Sequence, residues 1–154
     1  MKYCYILPLI GVCMFETVLI NRENVRLISL FLKNAGNSLN SFRYYNNREL
    51  SVIANHLYTV MFLDDGHPIC YGHLDQDDGK VWLGIAVIQS NVGKKLGTQM
   101  MGLLIDEAKK KQLKTIWLSV DADNLIAIEL YEKFDFTLAQ TKLEKLFYRL
   151  SLEV

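Results

Sequence analysis

The 154-residue sequence predicts an α+β fold: a mixed, mostly antiparallel central sheet with one parallel pair, helices on both faces, and a single domain. Three observations carry this. Two Asp-Gly pairs, Asp65-Gly66 and Asp78-Gly79, separate short β-rich runs. Asp and Gly accept the positive φ that tight hairpin turns need, so three strands form an antiparallel meander. Next comes a strand–helix–strand unit over residues 80–120, which must cross over right-handedly between parallel strands. Finally, 51% of residues are hydrophobic and no Pro/Gly-rich linker divides the chain, so one core is expected over residues 1–154.

The elements follow in order. Residues 15–20 read as a strand. Asn21 is placed to cap a helix, with Asn24 three residues on. Val25, Leu27, Ile28, Leu30, Phe31 and Leu32 continue a strongly apolar helix to about Ala35, and Gly36 is its C′ stop. Residues 37–47 are polar around an aromatic insert, Phe42-Arg43-Tyr44-Tyr45, and read as a loop. Residues 48–56 read as a short helix, with Leu50, Ile53, Ala54 and Leu57 at helical spacing. The meander strands are 58–63, 69–75 and 80–88. Residues 96–111 are helical, with Met100, Leu103, Leu104 and Ala108 on one face. Lys109, Lys110 and Lys111 fall in the last turn, where the helix dipole favours cations. A strand at 114–120, a helix at 124–134 and strands at 136–140 and 143–150 complete the chain.

Composition excludes some functions. Lys+Arg and Asp+Glu both number 17, which argues against nucleic-acid binding driven by bulk charge. Lys2 followed by the apolar run from Tyr3 to Phe15 has the outline of a signal peptide, but Pro8 interrupts it and no small-x-small cleavage site follows. The run is also too short to span a bilayer. Residues 1–14 are therefore read as an extra strand or an N-terminal extension packed on the first strand, with no membrane role. Cys4, Cys13 and Cys70 show no metal-ligand or CxxC spacing, so no metal is expected, and reduced thiols in a cytoplasmic protein suit them.

Chemistry is expected first at residues 89–97. The segment follows a strand, opens a helix and contains Gly93 and Gly97. A helix N-terminus presents unpaired N–H groups and positive potential, and glycines let a phosphate approach. Lys94 and Lys95 add charge. The same strand–turn–helix also arises for structural reasons alone. It is neither a P-loop nor a dinucleotide fingerprint, because GK[ST] and Gly-x-Gly-x-x-Gly are both absent.

Residues 92–97 read Val-Gly-Lys-Lys-Leu-Gly, and residues 124–136 carry Asn124, Ala127, Ile128, Leu130, Tyr131, Lys133 and Phe136 in the pattern Asn-x-x-Ala-Ile-x-Leu-Tyr-x-Lys-x-Gly-Phe. Together these resemble the two motifs of the GNAT family of N-acetyltransferases. The second motif departs only at Asp135, where Gly is usual, and Asp tolerates the left-handed conformation. In the first, Arg/Gln-x-x-Gly-x-Gly/Ala, Gly97 matches, Val92 replaces Arg/Gln and Lys95 replaces the middle Gly.

The resemblance implies an acetyl-CoA-dependent transfer to a primary amine of a small molecule, such as an amino sugar or amine metabolite. A cofactor-binding module without turnover and a protein acetyltransferase are the alternatives. It implies that Ile85, Ala86 and Val87 pair their backbone with the pantetheine arm. Amides of Val92, Gly93, Lys94, Lys95, Leu96, Gly97 and Thr98 would hold the pyrophosphate, and Asn124 would bond the arm from the opposite side. Tyr131 would protonate the leaving thiolate. For the base, His73 and Asp75 share one face of a strand by alternation with Tyr71, and His56 is a further candidate. Phe42, Arg43 and Tyr45 in the loop, with Trp82, are expected to recognise the acceptor. Arg suits a carboxylate or phosphate, and the aromatics suit stacking. Homodimerisation is left open.

Overall fold

The computed structural model describes residues 15–153, so the extension at 1–14, with Cys4 and Cys13, lies outside the described residues. Seven strands form one sheet in the order β1-β2-β3-β4-β5-β7-β6. They are β1 (Glu16–Leu19), β2 (His56–Asp64), β3 (His67–Asp77), β4 (Lys80–Val87), β5 (Thr115–Asp121), β6 (Thr137–Lys142) and β7 (Lys145–Ser151). Every neighbouring pair is antiparallel except β4–β5, which is parallel. Helices α1 (Arg26–Asn34), α2 (Leu96–Lys110) and α3 (Leu125–Lys133) complete the fold.

The predicted turn chemistry sets the meander. Asp65 and Gly66 have φ of 47° and 77°, and Asp78 and Gly79 have 49° and 70°. Two consecutive positive φ values make a two-residue turn whose twist matches the flanking strands. The second turn pairs Asp77 with Lys80, and the register runs without a shift to His73 opposite Gly84 and Tyr71 opposite Ala86.

Alternation along β3 sorts its residues onto two covered faces. A Cβ on Gly72 would fall 2.5 Å from Met100 Sδ of α2, so this face packs directly on that helix. Tyr71 points the other way, with its ring 5.9 Å from that of Phe31 in α1. Ile28, Phe31, Met100 and Leu104 are all fully buried, and burial of each such side chain contributes about 1.5–3 kcal/mol.

Three local expectations are corrected. Asn21 does not cap α1, which starts at Arg26 behind Val25 with no side-chain cap. Asn21 and Asn24 instead tie the preceding turn: Asn24 Oδ1 accepts from the Asn21 N–H, and Asn24 Nδ2 donates to the Leu19 carbonyl, both at 2.8 Å. Their side chains bond locally to backbone, which competes with helix initiation. The short helix expected at 48–56 is a 3-10 helix, Leu50–Asn55, and His56 already belongs to β2. The loop at 37–47 opens with a 3-10 turn, Gly36–Asn40.

One feature of the sheet positions the site. β4 and β5 share a single rung, Trp82 with Trp117. Their rings lie 6.2 Å apart, with Phe147 of β7 the same distance from Trp82 and the Lys80 ammonium 4.6 Å from the Trp117 ring. Beyond this pinned end no pairing joins the two strands, and the sheet opens into a cleft.

Candidate active site: a cleft between splayed strands

The cleft has a volume of about 510 Å³. One wall is the free edge of β4, from Leu83 to Val87; the other is Ser119 to Asp121 of β5 with α3. On the β4 edge, backbone polar groups not bonded to β3 face the cleft, ready for an extended ligand to take the place of a strand. At the α2 end the chain is bent for anion binding. Gly93 has φ 82°, and a Cβ there would meet nothing within 4 Å. Lys95 is the N-cap of α2 in the left-handed conformation, φ 61° and ψ 19°. The departure at Lys95 therefore leaves the turn intact, and the first N–H groups of α2 remain free to hold a phosphate. A Cβ on Gly97 would sit 3.5 Å from Leu130 Cδ2, so the small residue lets α2 and α3 approach closely.

The structure places most of the residues expected for the cofactor in this cleft. Ile85, Ala86, Val87, Val92, Gly93, Lys95, Leu96, Gly97, Thr98 and Asn124 all line it, whereas Lys94 does not. Asn124 also has a structural use that its place in the motif does not announce. It caps α3, its Oδ1 accepting from the Ala127 N–H at 3.3 Å.

Tyr131 lines the cleft with its ring packed on Phe136. Its hydroxyl has no hydrogen-bond partner among the described residues, yet no buried side-chain polar atom there is orphaned, so the hydroxyl opens into the cleft. Burial pushes its pKa up to about 12, which keeps the proton on the oxygen at ordinary pH.

A second cavity, of about 350 Å³, adjoins the first across Leu83, Gly84, Ser119 and Asp121. Phe42, Arg43 and Trp82 line it, as does His73. Of the loop tyrosines it is Tyr44, not Tyr45, that lines this cavity. Tyr45 turns inward, its hydroxyl 2.7 Å from that of Tyr71. Arg43 is not a free cation either. Its guanidinium donates to Asp121 at 2.7 Å and to the Asn40 carbonyl, clasping the loop to the end of β5.

Two hydrogen-bonded chains meet behind this cavity. Tyr45, Tyr71 and His73 Nδ1 are linked at 2.7 Å each. Tyr44 donates to Asp75 Oδ2 at 2.6 Å, so the 2.8 Å contact between its oxygen and His56 Nε2 is donated by the histidine. His56 Nδ1 lies 2.7 Å from the Thr59 hydroxyl. Burial, with His56 and Arg48 nearby, lowers the His73 pKa well below its usual value, and burial lowers that of His56. The His73 ring lies against Gly84: a Cβ there would fall 2.5 Å from its Cε1. His73 Nε2 has no hydrogen-bond partner among the described residues and is not sealed off, so it opens toward the second cavity beside Gly84. His67, the first residue of β3 after the hairpin turn, is exposed, and its ring Nδ1 bonds the Asp65 carbonyl at 2.9 Å.

Comparison with known proteins agrees with this layout. Residues 24–136 match the acetyltransferase (GNAT) family. Over 64 residues the chain is 39% identical to a probable spermine N(1)-acetyltransferase of Bacillus subtilis subsp. natto, a match covering 40% of this chain and 42% of that relative. The GNAT domain of S. lividans PAT superposes with a TM-score of 0.77 at 10% identity, covering 90% of each chain. A putative acetyltransferase from Salmonella typhimurium, solved with its cofactor acetyl-CoA, superposes with a TM-score of 0.71 at 17% identity, covering 90% of this chain and 94% of that one. At such identities these structures show a shared fold. With the family match spanning most of the chain and both motifs placed on the walls of one cleft, this protein belongs to the acetyltransferase (GNAT) family, whose cofactor is acetyl-CoA.

Proposed function

We propose that this protein transfers an acetyl group from acetyl-CoA to a primary amine of a small molecule by direct attack. The observation that carries this reading is the junction of the two cavities. The Tyr131 hydroxyl opens into the cleft that suits the cofactor, and His73 Nε2 faces the adjoining space beside Gly84. Acetyl-CoA supplies the acetyl group as a thioester. Amides on the free edge of β4 would hold the pantetheine arm and polarise the carbonyl, and the α2 N-terminus would take the pyrophosphate.

His73 serves as the base. When Nδ1–H donates to Tyr71, the Nε2 lone pair points at the acceptor. Its lowered pKa keeps it in this neutral form, able to accept a proton as the amine nitrogen bonds to the carbonyl carbon. Tyr131 donates its proton to the departing sulfur as the C–S bond breaks. The relative's name favours an aliphatic polyamine as the acceptor over an amino sugar.

Thiol release from acetyl-CoA, measured with a panel of amines, tests the reading. Clear acetyl-CoA binding without release above background for any amine would reduce the protein to a binding module.

A further inference from the structure

The second cavity holds a carboxylate that the reaction above does not use. Asp75 is only 6% exposed and forms no ion pair; the ion pairs among the described residues are Arg43–Asp121 and two made by Glu107. Its Oδ2 is taken by Tyr44, while Oδ1 has no hydrogen-bond partner among the described residues. No buried oxygen is orphaned there, so Oδ1 opens into the cavity that Asp75 lines. Burying a carboxylate without a counter-charge is costly, which makes this oxygen a place for a cation supplied from outside. Tyr44 and the cross-strand neighbour Trp82 set aromatic faces beside it, an environment that also attracts ammonium groups. The cavity's cations do not satisfy Asp75. Arg43 is neutralised by Asp121, Arg48 lies 4.3 Å over the Tyr44 ring, and Lys145 stands on β7, three strands away in the sheet.

We propose that Asp75 anchors a second ammonium group of the acceptor, so that the enzyme selects diamines and polyamines of a defined spacing. This rests on the reading in which the reacting amine sits at His73. Asp75 lies two residues from His73 on the same strand face, about 7 Å along β3. That distance suits two nitrogens joined by about four methylenes, since the five intervening bonds of about 1.5 Å are shortened by their zigzag.

The test is a rate series with α,ω-diamines from ethylenediamine to hexamethylenediamine, each against the n-alkylamine of equal length. Putrescine is expected to exceed n-butylamine in kcat/KM by about tenfold or more, mostly through KM, with a maximum near its spacer length. In Asp75→Asn the ratio of putrescine to butylamine should fall toward one. Equal rates for both amines in the wild-type protein would overturn the anchor while leaving acetyl transfer standing. An equal fall for both amines in Asp75→Asn would overturn it too, in favour of a role in the chemistry or the fold. If no amine releases thiol, acetyl transfer itself fails. Calorimetric titration of the coenzyme-A-bound protein then still decides the anchor, by whether putrescine binds more tightly than butylamine.

Discussion

Lys95 shows how a departure from a motif can leave its geometry in place. A left-handed lysine costs about 1–2 kcal/mol relative to its ordinary conformation, and glycine would carry no such strain. Lys95→Gly is therefore expected to raise stability in urea by about 0.5–1 kcal/mol, net of glycine's greater unfolded-state freedom. Asp135, φ 64°, behaves alike at the turn after α3. Tyr131 gives the sharper functional test. In the proposed role of Tyr131 as proton donor, Tyr131→Phe should lower kcat by about 10² or more while leaving acetyl-CoA affinity within about twofold. With its pKa near 12, Tyr131 stays protonated at ordinary pH, so in the proposed role it produces no loss of kcat in the neutral to mildly alkaline range.

His73 and His56 tie residue chemistry to stability. Both have folded pKa values below the unfolded one, so below about pH 6.5 the unfolded chain binds more protons than the folded one. Stability should be full above that pH and fall as pH drops through it. His73→Gln should flatten the acid side of a Tm–pH profile.

At the scale of elements, the β3–β4 hairpin does most to build the site. Its two-residue turn fixes the register, and the register puts Gly84 under the His73 ring. That ring cannot yield easily, being bonded to Tyr71 at 2.7 Å and packed 4.7 Å from His56. Gly84→Ala is expected to destabilise by about 1–3 kcal/mol and to lower turnover together, checked by denaturation and initial rates. This much was legible beforehand. Asp77 pairs with Lys80 across Asp78-Gly79, so counting back along both strands sets His73 opposite Gly84. Alternation likewise put Tyr71, His73 and Asp75 on one face, which the structure bears out. Neither cue said which helix would cover that face.

Across the whole molecule, the Arg43–Asp121 clasp joins the loop after α1 to the end of β5, over the place where the cavities meet. Both side chains keep contact with solvent, so the pair adds at most about 1 kcal/mol to stability. Its effect should appear in acceptor binding instead. Arg43→Ala is expected to leave Tm nearly unchanged and to raise the amine KM, and added salt should mimic part of this in the wild-type protein.

The sequence by itself determined the order of elements, the hairpin register and the faces of β3. Each rests on short-range rules: turn residues that need positive φ, a two-residue strand period, and helix starts and stops. Tertiary structure alone decided the rest. The loop at 37–47 has no period, so nothing local told Tyr44 from Tyr45, and Arg43 finds its partner 78 residues away. The opening of the sheet past Trp82 and Trp117 was equally hidden, because whether two parallel strands stay paired depends on what packs above and below them. The buried, unpaired Asp75 emerged only when three strands, a loop and their aromatics were brought together around it.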